Sequence, residues 1–297
     1  MKAYFLEKYG KKQILLLSTL PEPSLKQTEV LVEVHATAIN LLDSLIRNGE
    51  FKLFLPYKTP FVLGHDFAGT IIKVGSDVKR FKIGDKVYAR PSDFKIGTFA
   101  EQIAVEEKDL ALIPSNITAE EAAGIPLVGL TSWQALVEIA NVRPGQKVFI
   151  QAGSGGVGTF AIQLAKHLGA YVATTTSTTN IDLVRSLGAD EVIDYKKDDF
   201  SVILKDFDVV LHSNKDVKVL EKSLAILKPG GNLISLTGPP TAILIHQFKL
   251  AFYFKLILNL LSASVGRKAK KLKVNYHFLF MKADGVALAE ITELIEA

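Results

Sequence analysis

Cysteine is absent from the 297 residues of the chain, and methionine and tryptophan are scarce, with two and one residues respectively. The absence of cysteine excludes disulfides, metal sites built on thiolates and cysteine nucleophiles. The chain therefore offers no redox chemistry of its own thiols.

An uninterrupted apolar run long enough to cross a membrane is also missing. The most apolar stretch, residues 242–265, contains His246, Lys249 and Lys255, and charges are costly inside a bilayer. The N-terminal residues lack the apolar core and cleavage site of a secretory signal. We therefore expect a cytoplasmic protein with no membrane partner, in which residues 242–265 form a buried or interface helix.

Neither sign of charge dominates, since the formal net charge is +4. The lysines are scattered apart from a cluster at 267–273, which we interpret as a solvated turn, with an anion contact as the alternative. Because no basic stripe is present, we expect no nucleic-acid partner. The apolar fraction of 48% and charged fraction of 22% are typical of a folded globular chain.

The sequence pattern changes after Pro114. Before about Arg90 the chain consists of short β-like runs broken by Gly and Pro. From a capping box at Thr118–Glu121 onward, helix-period segments alternate with short apolar runs. We predict a β-rich domain at 1–123, to which 284–297 returns, and an α/β domain at 124–283.

The second domain offers six strand candidates separated by helical segments, which matches a doubly wound parallel sheet in an α/β fold. The predicted strands are 147–150, 171–174, 191–193, 208–211, 232–236 and 274–280.

Gly153, Gly155 and Gly158 satisfy the pattern G-x-G-x-x-G between the predicted strand 147–150 and a predicted helix at 159–168. Such a turn lets the backbone approach a pyrophosphate at a helix N-terminus, although a glycine-rich turn can also be purely structural. We favour dinucleotide binding. The residues expected to contact the pyrophosphate are Gly153, Ser154, Gly155, Gly156, Val157 and Gly158.

The end of the second predicted strand indicates which dinucleotide binds. An acid about 20 residues after the turn is typical of NAD binding, but this place holds only hydroxyl and amide side chains until Asp182. We therefore predict NADPH (NADP+) as the cofactor. The predicted contacts are Thr175, Thr176, Ser177 and Asn180, and Arg185 is the nearest basic residue.

Several further stretches together resemble one family. They are "AINLLDSLIRNGEF" from Ala38, "PFVLGHDFAGTIIKVG" from Pro60, "FKIGDKVYA" from Phe81, "GTFAE" from Gly97, "GLTSWQAL" from Gly129 and "SLGADEVIDY" from Ser186. The chain resembles the medium-chain dehydrogenase/reductase superfamily, specifically its zinc-free quinone oxidoreductase branch, which includes ζ-crystallin and the 2-alkenal reductases. The resemblance implies a GroES-like β-barrel substrate domain and a Rossmann domain.

The resemblance also implies residues near the substrate. Asn40 and Asp43 match a pair beside the nicotinamide, and Asn40 could donate to a substrate oxygen. Tyr57 matches a tyrosine that neighbours the substrate. The alternatives are a turn amide for Asn40, a helix-capping or ion-paired acid for Asp43, and a core or rim aromatic for Tyr57.

Further cofactor contacts follow from the same resemblance. Thr131 is expected at the nicotinamide end and Tyr195 beside the adenosine phosphate, with a helix cap and a surface aromatic as the alternatives. Thr237 and Gly238 follow the fifth strand, at the carboxyl edge where ligands gather. Phe278 is a weaker candidate, for which core and dimer packing is the alternative.

The chain departs from the family pattern in three places. Asn40 stands where zinc-dependent relatives have a cysteine ligand and only His65 of their ligand set remains, so we predict no metal. Residues 212–215 replace a small Asp-Gly-rich turn. Relatives also continue past the helix predicted at 285–296 with further barrel strands, which we expect this chain to lack.

The predicted function is hydride transfer from NADPH to a quinone or an α,β-unsaturated carbonyl. Without a metal, the acceptor must already be electrophilic. The alternative is an NADPH-binding regulatory or structural protein with little turnover. A homodimer is expected, with residues 248–261 as its apolar surface.

Overall fold

The computed structural model describes residues 1–52, 55, 57–241 and 253–297, and the side chains of all of these except 253–257, 259 and 261. The chain divides into two compact units. The first comprises Met1–Leu130 and Lys282–Ala297, and the second comprises Thr131–Met281.

The first unit is built on antiparallel sheets. Its strands are β1 Lys2–Leu6, β2 Leu16–Thr19, β3 Glu29–Ala38, β4 Phe61–Val62, β5 Asp66–Val74, β6 Lys86–Ala89, β7 Gln102–Glu106 and β8 Leu110–Leu112. One sheet has the order β7-β3-β5-β6-β8, and a smaller one has the order β2-β1-β4. Val30, Val32, Phe67, Ile71 and Val87 belong to the apolar core of the larger sheet.

Three helices accompany these strands within the first unit. They are α1 Leu41–Asn48, α2 Ala119–Ala123 and, near the C-terminus, α9 Gly285–Glu296. The predicted capping box begins α2, because the Glu121 amide donates to Thr118 Oγ1 at 3.2 Å and the Thr118 amide donates to a Glu121 carboxylate oxygen at 2.8 Å. Helix α3, Pro126–Trp133, continues into a π-helical segment at Gln134–Ile139.

The second unit contains a parallel sheet formed by strands β9 Lys147–Ile150, β10 Tyr171–Thr176, β11 Glu191–Asp194, β12 Phe207–His212, β13 Leu227–Ser235 and β14 Asn275–Phe278. Their order is β11-β10-β9-β12-β13-β14, which is the doubly wound order that reverses beside the first strand. The predicted parallel sheet is therefore confirmed.

The strand limits differ from the prediction mainly in β13. This strand starts at Leu227 rather than at 232, since Leu227 pairs with Phe207 before a register shift across the polar segment 228–231. The apolar pattern by which the sequence predicts a strand is present only in the part of β13 after the register shift.

Among the described residues, the α-helices of the second unit are α4 Gly156–His167, α5 Ile181–Ser186, α6 Phe200–Ile203, α7 Val217–Ala225 and α8 Tyr253–Leu272. Phe149, Phe200, Leu220, Leu233 and Val265 belong to one buried cluster that joins the sheet to these helices. Residues 242–252, which include part of the predicted apolar surface 248–261, lie outside the described residues.

Gly285→Ala tests the packing of α9 on β8. A Cβ at Gly285 would lie 2.4 Å from the Leu110 carbonyl oxygen and 2.5 Å from that of Lys108, so the helix must shift. We expect the free energy of unfolding to fall by about 1–3 kcal/mol, measured by chemical denaturation. The matched variant is Gly266→Ala in α8, whose Cβ would meet nothing within 4 Å and should stabilise by up to about 1 kcal/mol. Equal effects of the two substitutions would contradict the packing argument.

Candidate functional site

The glycine turn connects β9 directly to α4. A Cβ at Gly153 would lie 2.1 Å from Thr174 Oγ1, and one at Gly158 would lie 2.3 Å from the Ala152 carbonyl oxygen. Neither position has room for a side chain. These two glycines let the first turn of α4 pack against the end of β9.

Gly155 differs from the other two glycines of the motif. It is the N-cap of α4 in an extended conformation, with no side chain capping the helix, and its Cβ would meet only the Ala152 carbonyl oxygen at 3.3 Å. The first amides of a helix have no partner within the helix, and they carry partial positive charge. Since no side chain among the described residues caps α4, the amides of Gly156, Val157 and Gly158 can bind a diphosphate.

Hydroxyl and amide groups gather where β10 ends. Thr176 Oγ1 donates to Ser154 Oγ at 2.9 Å, and Asn180 Nδ2 donates to the same oxygen at 3.1 Å and to Ser177 Oγ at 3.4 Å. The structure therefore brings the predicted phosphate-binding residues beside the glycine turn. Thr175 instead holds the turn itself, because its carbonyl oxygen accepts from the Gly153 amide at 2.9 Å.

A carboxylate that the sequence analysis missed also reaches this edge. Asp194 ends β11 in register with Thr176, and it accepts a hydrogen bond from Thr178 Oγ1 at 2.5 Å. The Thr178 hydroxyl holds the pKa of Asp194 below its ordinary value. The adjacent Tyr195 is exposed, and its amide donates to the Thr176 carbonyl oxygen at 3.1 Å. Exposure is compatible both with the predicted contact beside the adenosine phosphate and with the alternative of a surface aromatic.

The carboxyl ends of β12 and β13 enclose a cavity of about 260 Å³, lined in part by Thr237 and Gly238. We call it the β12–β13 cavity. Both predicted residues therefore lie at the edge expected for a ligand. Phe278 ends β14 in register with Ser235 and is half-buried, while Thr131 is buried.

The predicted residues of the first unit form a buried polar cluster. One oxygen of the Asp43 carboxyl group accepts a hydrogen bond from the Asn40 backbone amide at 2.7 Å, and the other lies 2.6 Å from His65 Nδ1. Asp66 accepts from Asn40 Nδ2 at 2.9 Å and from the Leu127 amide at 3.0 Å. The carboxyl groups of Asp43 and Asp66 thus hold the backbone amide and the side chain of Asn40, and Asp43 combines helix capping with a histidine contact.

Burial dominates the electrostatics of this cluster. It raises the pKa of Asp66 to about 8, although Asn40 and Arg90 oppose the shift. It also lowers the pKa of His65, and the hydrogen bond with Asp43 opposes that shift in part. His65 is therefore neutral at pH 7, and its Nε2 has no hydrogen-bond partner among the described residues.

Tyr57 uses its hydroxyl group internally. The hydroxyl donates to the Asp93 carbonyl oxygen, its ring stacks on Phe61 with centroids 5.0 Å apart, and burial raises its pKa. Arg90, which the sequence analysis did not select, is fully buried and forms an ion pair with Asp93. These contacts give Tyr57 a packing role in this structure.

Within the described part of the chain, no three His, Asp or Glu side chains are placed to hold a metal ion. The residues around His65 therefore do not fit a zinc site. None of the described helices is both long and apolar enough to span a membrane.

Asp66→Asn tests the buried carboxyl group. Its folded-state pKa of about 8 exceeds the ordinary 3.8, so the bound proton stabilises the fold at low pH, and this contribution is lost as the pH rises through 8. An amide cannot titrate. The free energy of unfolding of the variant minus that of the wild type should therefore rise by about 1 kcal/mol per pH unit from pH 5 to 7.

Urea denaturation at several pH values measures this difference. The matched control is Asp199→Asn, because Lys222 and Ser201 lower the pKa of Asp199 to about 2, below the pH range used. Its difference from the wild type should be constant. A constant difference for Asp66→Asn as well would show that its pKa is not raised.

Two family models match the chain. The alcohol dehydrogenase GroES-like domain matches residues 26–115, and the model described as zinc-binding dehydrogenase matches residues 156–268. The name of the second model refers to a metal for which the described residues provide no ligand set.

Curated relatives resemble the chain over most of its length. It is 41% identical to the chloroplastic NADPH-dependent alkenal/one oxidoreductase of Arabidopsis thaliana over 250 residues, covering 81% of this chain but 64% of the relative. It is 37% identical to the chloroplastic quinone-oxidoreductase QR1 of Triphysaria versicolor, covering 83% of this chain and 78% of the relative. The chain thus spans less than two thirds of the Arabidopsis protein.

A solved structure agrees with the fold of the whole chain. The quinone oxidoreductase from Coxiella burnetii superposes with a TM-score of 0.85 at 30% identity, covering 100% of this chain and 87% of that one. The GroES-like and Rossmann architecture predicted from the sequence is therefore confirmed. The chain belongs to the medium-chain dehydrogenase/reductase superfamily, in its quinone oxidoreductase-like branch.

Proposed function

We propose that this protein is an NADPH-dependent oxidoreductase that reduces a quinone or an α,β-unsaturated carbonyl compound without a metal. The observation that carries the proposal is the uncapped N-terminus of α4 beside a hydroxyl and amide cluster at the end of β10. The names of the relatives from Arabidopsis and Triphysaria support the same chemistry.

The backbone amides at the N-terminus of α4 and the polar side chains at the end of β10 bind different parts of the nucleotide. The backbone amides of Gly156, Val157 and Gly158 bind the diphosphate, for which they need no positive side chain. Ser177 and Asn180 donate hydrogen bonds to the 2′-phosphate. Asp194 already accepts hydrogen bonds from Thr178 and the Lys196 amide, and the Lys197 ammonium group 3.8 Å away offsets its charge.

When bound, NADPH supplies the hydride. A quinone or enal accepts it at carbon while negative charge develops on oxygen, and a hydrogen-bond donor lowers the energy of that charge. Asn40 is the proposed donor, since Asp66 uses one of its two Nδ2 hydrogens and leaves the other for substrate. Asp43 positions Asn40, and Tyr57 packs against Phe61.

Two finer points complete the proposal. We propose that the protein acts as a homodimer, as its branch of the superfamily suggests. We also propose a cytoplasmic location, which the absence of cysteine from the sequence supports, although the Arabidopsis relative is chloroplastic.

A turnover assay tests the proposed function directly. The purified protein should oxidise NADPH when a quinone or an enal is added, with NADH a much poorer donor.

Gly155→Val should abolish most of this activity and weaken NADPH binding by about tenfold or more, because its side chain projects into the space left for the diphosphate. Its melting temperature should fall far less than that of Gly158→Ala, whose Cβ collides with backbone. Absence of turnover across a varied acceptor panel would overturn the proposal.

Asn180→Asp tests the preference for the phosphorylated nucleotide. A carboxylate beside Ser177 and Ser154 would repel a 2′-phosphate, so the Kd for NADPH should rise about tenfold or more while that for NADH stays constant or falls. Isothermal titration with each nucleotide measures the change. Asn180→Ala removes the amide without adding charge and should have a smaller effect. If both variants weakened NADPH and NADH equally, the phosphate would not lie at Asn180.

A further inference from the structure

A buried histidine lines the β12–β13 cavity. His212 is the last residue of β12 and is 0% exposed. Neither of its ring nitrogens has a hydrogen bond of normal geometry within the described part of the chain. A buried polar group without a partner costs free energy, so its presence beside a cavity calls for an explanation.

Other polar groups of the cavity are already used within the protein. Thr237 Oγ1 donates to the Asn214 carbonyl oxygen at 2.8 Å, and the Gly238 amide donates to Ser235 Oγ at 2.8 Å. Asn214 Oδ1 accepts from the Asp216 amide at 2.8 Å. Apolar parts of the lining come from Val217, Leu220, Pro239 and Pro240. Lys215 and Asp216 also line the cavity, and Asp216 accepts from the Lys218 amide at 2.8 Å. The ring nitrogens of His212 thus face a partly apolar, open cavity without a hydrogen bond of normal geometry among the described residues.

The imidazole is neutral at pH 7. Burial lowers the pKa of His212 to about 4, and an interaction with the Asn214 backbone opposes this shift only in part. A neutral imidazole offers one N–H donor and one acceptor nitrogen. Such a ring suits a hydroxyl or a carboxamide, each of which can accept from its N–H or donate to its acceptor nitrogen.

The position of His212 in the sheet indicates which part of the nucleotide it meets. β12 and β13 lie on one side of β9, and β10 with its phosphate-binding cluster lies on the other. A dinucleotide crosses the carboxyl edge of a doubly wound sheet at the reversal of strand order. With the adenosine half on the β10 side, the nicotinamide riboside half lies on the β12–β13 side.

We propose that His212 is a binding residue for the nicotinamide riboside half of the cofactor, where its imidazole exchanges a hydrogen bond with a ribose hydroxyl or the carboxamide. The inference rests on the proposed function, because it assumes that the dinucleotide binds at the glycine turn. His212 would then contribute to the binding of the nicotinamide riboside half and not to that of the adenosine half.

Calorimetric titration of His212→Leu with NADPH and with 2′,5′-ADP shows which half of the nucleotide depends on His212. Its Kd for NADPH should rise about three- to tenfold, the effect of one lost neutral hydrogen bond. Its Kd for 2′,5′-ADP, which lacks the nicotinamide riboside half, should equal that of the wild type. The ligand-free variant should melt no lower than the wild type, since an apolar side chain replaces an unpaired buried polar one.

Two further variants complete the test. His212→Gln keeps a neutral donor and acceptor and should retain tighter NADPH binding than His212→Leu. His167→Leu replaces an exposed histidine at the end of α4 and should change neither affinity.

Each other outcome is informative. Equal weakening of NADPH and 2′,5′-ADP by His212→Leu, unchanged NADPH affinity, or a large loss of thermal stability would overturn the role of His212. Failure of the wild type to bind either nucleotide would instead overturn the proposed function.

Discussion

The close contact between the end of strand β9 and the first turn of helix α4 is the constraint on which the candidate site depends. Gly153 and Gly158 lie at this contact. A Cβ on Gly153 would overlap Thr174, and a Cβ on Gly158 would overlap Ala152. The fold therefore requires glycine at both positions, whether or not a nucleotide binds. A Cβ at Gly155 would meet the Ala152 carbonyl oxygen at 3.3 Å, a less severe contact than at the other two glycines, so packing explains this glycine less fully and leaves a role for a ligand.

A second constraint comes from the ionisable groups buried in the first unit. Asp43, His65, Asp66 and Arg90 are all at most 2% exposed. Paired contacts offset the cost of removing them from water, and each contact also fixes a geometry. Asn40 is the clearest case, because its backbone amide and its side chain are held by two different carboxylates. A small polar side chain near the surface thereby acquires a defined orientation.

The sequence predicted the parallel sheet, the glycine turn and the capping box well, because each depends on local spacing. Thr176 and Asn180 lie beside the turn, because the second strand of this topology ends next to it, and their contact with the cofactor stays a prediction. Asp194 was missed because it belongs to the next strand, and only the register of β10 with β11 brings it to Thr176. Arg90 was missed because nothing local distinguishes a buried arginine from an exposed one. The internal use of the Tyr57 hydroxyl likewise depends on Asp93, which lies 36 residues away.

The two sides of the carboxyl edge of the sheet differ in electrostatic character. At the end of β10 and β11, an ionised Asp194, the Lys197 ammonium group and several hydroxyls provide strong polar interactions near solvent. At the end of β12 and β13, the His212 imidazole is kept uncharged by burial among apolar side chains. NADPH has the same asymmetry, with its phosphates toward the adenosine and uncharged polar groups around the nicotinamide. Hydride transfer to a conjugated carbonyl is favoured in a water-excluded environment, where a single oriented donor stabilises developing charge more effectively than in water. Because burial keeps His212 neutral, its imidazole offers one donor and one acceptor without adding charge at this end of the sheet.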